Sequence, residues 1–142
     1  MRRSFAVILV AVAMLAIGFA QEKSAQDKKV DAGVKAAQAW LAVVDSGNYG
    51  ASWEQASGMF KAAITREKWE EALQQARTPL GKPSARKLWG AKLENSLPNA
   101  PAGEYVVMQF NTNFDNKSGA VETVTMVLDK DEKWRAAGYF IR

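Results

Sequence analysis

Tyr105-Val106-Val107-Met108-Gln109-Phe110-Asn111-Thr112-Asn113-Phe114 is the stretch on which the fold turns. Val106, Met108, Phe110, Thr112 and Phe114 alternate with Tyr105, Val107, Gln109, Asn111 and Asn113. A period of two sends these sets to opposite faces of a β-strand, with the apolar set facing a core. Downstream, Asp115-Asn116-Lys117-Ser118-Gly119 has the composition of a hairpin loop, and Val121 to Leu128 reads as the next strand. Asp129 to Lys133 makes a second hairpin, and Trp134 to Ile141 a last strand. Upstream, a loop from Ser96 to Gly103 holds two prolines. Before it Ala85, Trp89, Ala91 and Leu93 alternate as one long strand whose face Lys87 interrupts.

Before residue 82 the period changes. Val30, Val34, Ala37, Leu41 and Val44 follow steps of three and four, one face of an amphipathic helix that Ser46-Gly47-Asn48 ends. Tyr49, Trp53, Ala56 and Phe60 repeat that spacing, although Gly50 and Gly58 each cost a helix interior about 1 kcal/mol relative to Ala. Thr65 reads as the N-cap of a third helix carrying Trp69, Ala72, Leu73 and Ala76, which Arg77-Thr78-Pro79-Leu80-Gly81 closes. About three helices followed by about four antiparallel strands predict an α+β domain over residues 30–142, its helices packed on one face of the sheet.

Ahead of this domain, Met1-Arg2-Arg3-Ser4 is a short positive segment. Phe5 to Phe19 carries no charge, and Gly18-Phe19-Ala20 ends the run in the small-x-small pattern of signal-peptidase sites. An anchor needs about 20 apolar residues, more than this run supplies. The expectation is a signal peptide at 1–20, cleavage after Ala20, a loose polar leader at 21–29, and a periplasmic or secreted domain with no membrane attachment. The formal net charge of +4 includes Arg2 and Arg3, so cleavage leaves +2, too little to argue for nucleic acid. The chain has no Cys and no His, which excludes disulfides, thiol nucleophiles, zinc–thiolate sites and a histidine general base. No cofactor is implied.

Trp40, Ser52-Trp53, Phe60, Trp69, Arg77-x-Pro79-Leu80-Gly81 and Arg86 stand at a spacing that resembles the bacterial family called "domain of unknown function 4019". Tyr105-x-Val107, Phe110, Thr112, Phe114 and Glu122-x-Val124 are similar too, as is the closing Trp134-Arg135-Ala136-Ala137-Gly138-Tyr139. The likeness covers roughly Val30 to Ile141. One departure is Asp131-Glu132-Lys133 before Trp134, where a glycine is commoner. The resemblance implies export and a small α+β fold, of the cone-shaped type in which a curved sheet wraps helices, as in nuclear transport factor 2. It implies no activity.

Glu122 heads the strand face of Val124, Met126 and Leu128, so a carboxylate joins the apolar side of the sheet. Two readings stand. Glu122 is a pocket charge, acting as a general base or as an anchor for a ligand amine, or it is a structural ion pair with Arg86, Arg77 or Arg135. Arg77 and Arg86 either grip an anionic ligand or do structural work, Arg77 at the last carbonyls of its helix and Arg86 on Glu122. Trp40, Trp53, Trp69, Trp89 and Trp134 fall on core patterns. Trp53 is the candidate to line a pocket between helices and sheet, as is Tyr139 with its polar tip. Asp45 reads as a solvated helix-end charge, and Lys82, Arg86, Lys87 and Lys92 as a solvated basic edge.

These residues support three expectations. The first is a non-catalytic periplasmic module that binds a small ligand or an envelope protein. The second is a small enzyme using Glu122, and the third is a structural module that pairs with a second copy as a homodimer. A Glu122–Arg pair that fills the inner space counts against the second.

Overall fold

The computed structural model describes residues 14–142, with side-chain surroundings from residue 25 onward; the signal segment expected at 1–20 lies outside the fully described part. Helix α1 spans Met14–Asp45, α2 Tyr49–Glu54, α3 Gly58–Ala63 and α4 Arg66–Arg77, and a 3-10 turn Thr78–Leu80 follows. Strands β1 (Pro83–Glu94), β2 (Tyr105–Phe114), β3 (Lys117–Leu128) and β4 (Trp134–Ile141) form one antiparallel sheet in the order β1-β2-β3-β4. The α+β class read from the sequence is the fold found.

The helices begin where capping chemistry allows. Asn48 Oδ1 accepts from the Ala51 amide, Ser57 Oγ from Phe60 and Thr65 Oγ1 from Lys68, each at 3.3 Å, so every short helix has one orphan donor satisfied. The irregular second helix of the sequence reading is in fact two helices, because Ser57 caps and restarts the chain just before Gly58. Glu22 to Lys29, read as a loose leader, continues α1 instead. Its Glu, Lys, Gln and Ala residues are good helix formers, and Lys29 is tied by an ion pair to Glu104 beside β2.

Val34, Ala37, Trp40, Leu41 and Val44 of α1 join Phe60, Trp69 and Leu73 against Val106, Met108, Phe110, Val124, Met126 and Ala136 of the sheet. Alternation along β2 holds from Val106 onward, with the even-numbered residues buried against the helices, while Tyr105 at the strand's start is buried as well. Helix α1 crosses β2 at Gly33, where a Cβ would stand 2.8 Å from Val106 Cγ2, so a side chain there would push the helix off the sheet.

Three register shifts decide which side chains reach this core. Between Leu88 and Gly90 a bulge in β1 reverses the alternation, so Arg86 pairs across from the inward Thr112 while Ala91 pairs with the inward Met108. A second shift at Thr125/Met126 inserts Ala137 into β4 and brings both Ala136 and Tyr139 to the inner face. The third corrects the first hairpin: its turn is Asp115-Asn116 alone, and β3 starts at Lys117. Gly119, at φ +70°, forms the bulge by donating its amide to Asn113 Oδ1 at 2.8 Å. In the last hairpin Glu132 holds φ +63°, the left-handed conformation that makes glycine the commoner choice there.

Candidate functional site

Six elements each place one polar side chain in a single cluster under the helices. Asp45 ends α1, Arg77 ends α4, and β1 to β4 supply Arg86, Thr112, Glu122 and Tyr139 in turn. Glu122 is completely buried. Arg86 donates to it from Nε at 2.7 Å and from Nη2 at 3.2 Å, one bond to each oxygen. Thr112 donates its hydroxyl to Oε1 at 2.5 Å, and the Tyr139 hydroxyl donates to Oε2 in a short hydrogen bond. A carboxylate has about four lone-pair sites, and here all four are taken.

Asp45 is not the solvated charge the sequence suggested. Arg86 grips it at 2.7 and 3.0 Å, and Arg77 Nη2 donates to the same carboxylate at 2.7 Å. The chain turns back at Ser46-Gly47, and this leaves the end of α1 beside the end of α4. Burial works against ionising Asp45, but the hydrogen bonds and charges of Arg86 and Arg77 outweigh it and hold the carboxyl below its ordinary value. Burial pushes the Tyr139 phenol up, and the neighbouring negative charge of Glu122 and the hydrogen bond to it push the same way. Tyr139 is therefore a neutral donor across the physiological range.

Arg77, only 4% exposed, also reaches Tyr139 at 3.5 Å and lies over Phe114 with its guanidinium carbon 5.0 Å from the ring centre. Its Nε has no hydrogen-bond partner among the described residues. Two arginines and two carboxylates balance in charge. Trp40 and Trp69 wall the cluster, meeting the Tyr139 ring edge-on at 5.6 and 6.3 Å. Their own indole donors are spent on Ser52, Trp40 on its carbonyl at 2.8 Å and Trp69 on its hydroxyl at 2.9 Å.

Of the residues singled out in the sequence, Glu122, Arg86, Arg77 and Tyr139 meet here. Trp53 does not: it is half-buried, bonds the Ile64 carbonyl at 2.8 Å and carries Lys61 5.5 Å above its ring. Arg135 also stays apart, held by Asp129 at 2.8 Å and Asp131 at 2.7 Å on the last hairpin. Trp89 departs from the core pattern. The β1 bulge turns it out of the interior, and it is 71% exposed. With Gly90, Lys92, Leu97, Val107 and Gln109 it borders an open groove of about 560 Å³ on the outer face of the sheet.

Fold and site together define a small α+β domain, its helices fastened to a four-stranded sheet through a buried, charge-balanced network. The chain belongs to the family described as "Protein of unknown function (DUF4019)", whose model matches residues 36–139 and so includes all six members of the network. No curated protein and no solved structure matches the chain.

Proposed function

We propose that this chain is an exported, non-catalytic binding module whose working surface is the outer face of the sheet. One observation carries the reading. The inner carboxylate, Glu122, has every lone pair engaged by protein donors, while the opposite face leaves Trp89 open beside a groove and Phe140 open at the other margin. A general base needs a free lone pair within reach of a substrate proton, and Glu122 keeps none. The positive segment, apolar run and small-x-small site of residues 1–20 support export.

Native mass spectrometry of the protein purified from its own host tests this. The expected spectrum shows a chain beginning at Gln21 with a discrete additional mass. That mass should be lost in Trp89→Ala and kept in Tyr139→Phe. An additional mass that survives Trp89→Ala but vanishes in Tyr139→Phe would put the ligand between helices and sheet and contradict the reading. A mass retaining Met1 would contradict export.

A further inference from the structure

The outer face is ordered into cross-strand rows. Lys87, Asn111, Val121 and Arg142 form one row, Gly90, Gln109, Thr123 and Phe140 the next, and Lys92, Val107, Thr125 and Gly138 a third. Its middle is amide and hydroxyl: half-buried Gln109 donates its Nε2 to Thr123 Oγ1 at 3.4 Å, Thr123 is itself only 8% exposed, and Thr125 beside it is half-buried. Its two margins carry flat apolar rings, Trp89 on β1 and Phe140, 53% exposed, on β4. Three strand spacings put these margins about 14 Å apart. Cations flank both rings. Lys87 and Lys92 stand on β1, and the Arg142 guanidinium carbon lies 5.9 Å from the Phe140 ring centre. One carboxylate, Glu94, also lines the groove and lies 3.1 Å from Lys92 Nζ, while Lys87 and Arg142 make no ion pair among the described residues.

Resting on the binding reading above, we propose that this face binds a carboxylated polysaccharide laid across the four strands. Sugar rings present an apolar face to an exposed indole or phenyl, hydroxyls to amides and threonines, and acid groups to lysine and the arginine fork. Trp89 and Phe140 supply the flat rings, Gln109 the amide, and Lys87, Lys92 and Arg142 the cations, and the groove beside Trp89 holds about 560 Å³. A second copy fits less well, because a face-to-face pair would set Lys87, Lys92 and Arg142 against like charges. Single-stranded nucleic acid fits less well too. Successive bases need neighbouring stacking platforms, and these two rings stand at opposite margins.

Affinity electrophoresis of the purified protein in gels containing polygalacturonate tests the proposal, with neutral hydroxyethyl cellulose and single-stranded oligothymidylate as comparisons. Polygalacturonate should retard the protein and the neutral polymer should not. Trp89→Ala and Lys87→Glu should each weaken the retardation at least tenfold, and added salt should reduce it. Equal retardation by the neutral polymer, or retardation untouched by Trp89→Ala, overturns the proposal. Tighter binding of oligothymidylate overturns the ligand class but leaves the outer face as the binding surface. No retardation overturns the polysaccharide alone, provided the native mass spectrum still shows a mass that Trp89→Ala removes. If that mass is missing as well, the binding reading falls with it.

Discussion

The two faces of one sheet treat their charges in opposite ways. On the inner face Arg86 and Arg77 are 17% and 4% exposed, and they spend their donors on Asp45, Glu122 and Tyr139. On the outer face Lys92 is 78% exposed, and its contact with Glu94 is a surface pair worth about 0–1 kcal/mol. Cationic side chains are fasteners on one side and solvent-facing groups on the other. A buried ion network contributes little net stability, because desolvating four charges offsets most of their attraction. What it supplies is registry: the ends of α1 and α4 and all four strands are correct only when the six side chains meet. Breaking it from one side is costly for the same reason, since the remaining charges stay buried without a partner.

The comparison is tested by substitutions graded from the inner face outward. Arg86→Ala leaves Glu122 without a cationic partner and Asp45 with Arg77 alone, and urea unfolding should show a loss of about 3–5 kcal/mol. A loss no larger than that of a surface lysine would break the distinction between the faces. Tyr139→Phe removes one donor to a charged acceptor and should cost about 1.5–3 kcal/mol by the same measurement.

Acid offers a milder way to loosen the fasteners. The folded-state value of Asp45 is lowered, so its contribution to stability is complete above the ordinary value of 3.8 and is lost as pH falls beneath it. Urea midpoints followed from about pH 5 to about pH 3 should therefore fall more steeply in the native chain than in Asp45→Asn. Equal slopes would remove Asp45 from the network. Smallest of all, Trp89→Ala should change stability by less than about 0.5 kcal/mol, because an exposed ring on the outer face holds nothing together. A thermal scan showing a larger drop would make Trp89 part of the core.

The fold class was legible because β2 keeps a period of two from Val106 to Phe114 and α1 keeps its three-four spacing. Most of the site was legible. Glu122 stands as an acid on an apolar face, Arg86 and Arg77 are its candidate partners, and Tyr139 is a candidate pocket residue. The bulges hid which strand residues share a face. Arg86 and Ala91 cannot share a face under strict alternation, and neither can Ala136 and Tyr139, so a periodic reading sent Trp89 inward with Ala91. Asp45 was missed for another reason. A carboxylate at the end of a helix looks solvated until tertiary packing brings a second helix end and a strand against it. The Ser57 cap inside Ala56-Ser57-Gly58 was the signal that could have divided the second helix.

The central claim is that Glu122 is a fastener, and thermal unfolding of Glu122→Gln against the native chain tests it most directly. Neutralising Glu122 leaves Arg86 with Asp45 alone and turns one carboxylate oxygen into an amide donor facing donors. The account predicts a stability loss of about 2–4 kcal/mol with the folded secondary structure retained at room temperature. An unchanged melting temperature would contradict it and return Glu122 to the role of a free pocket acid.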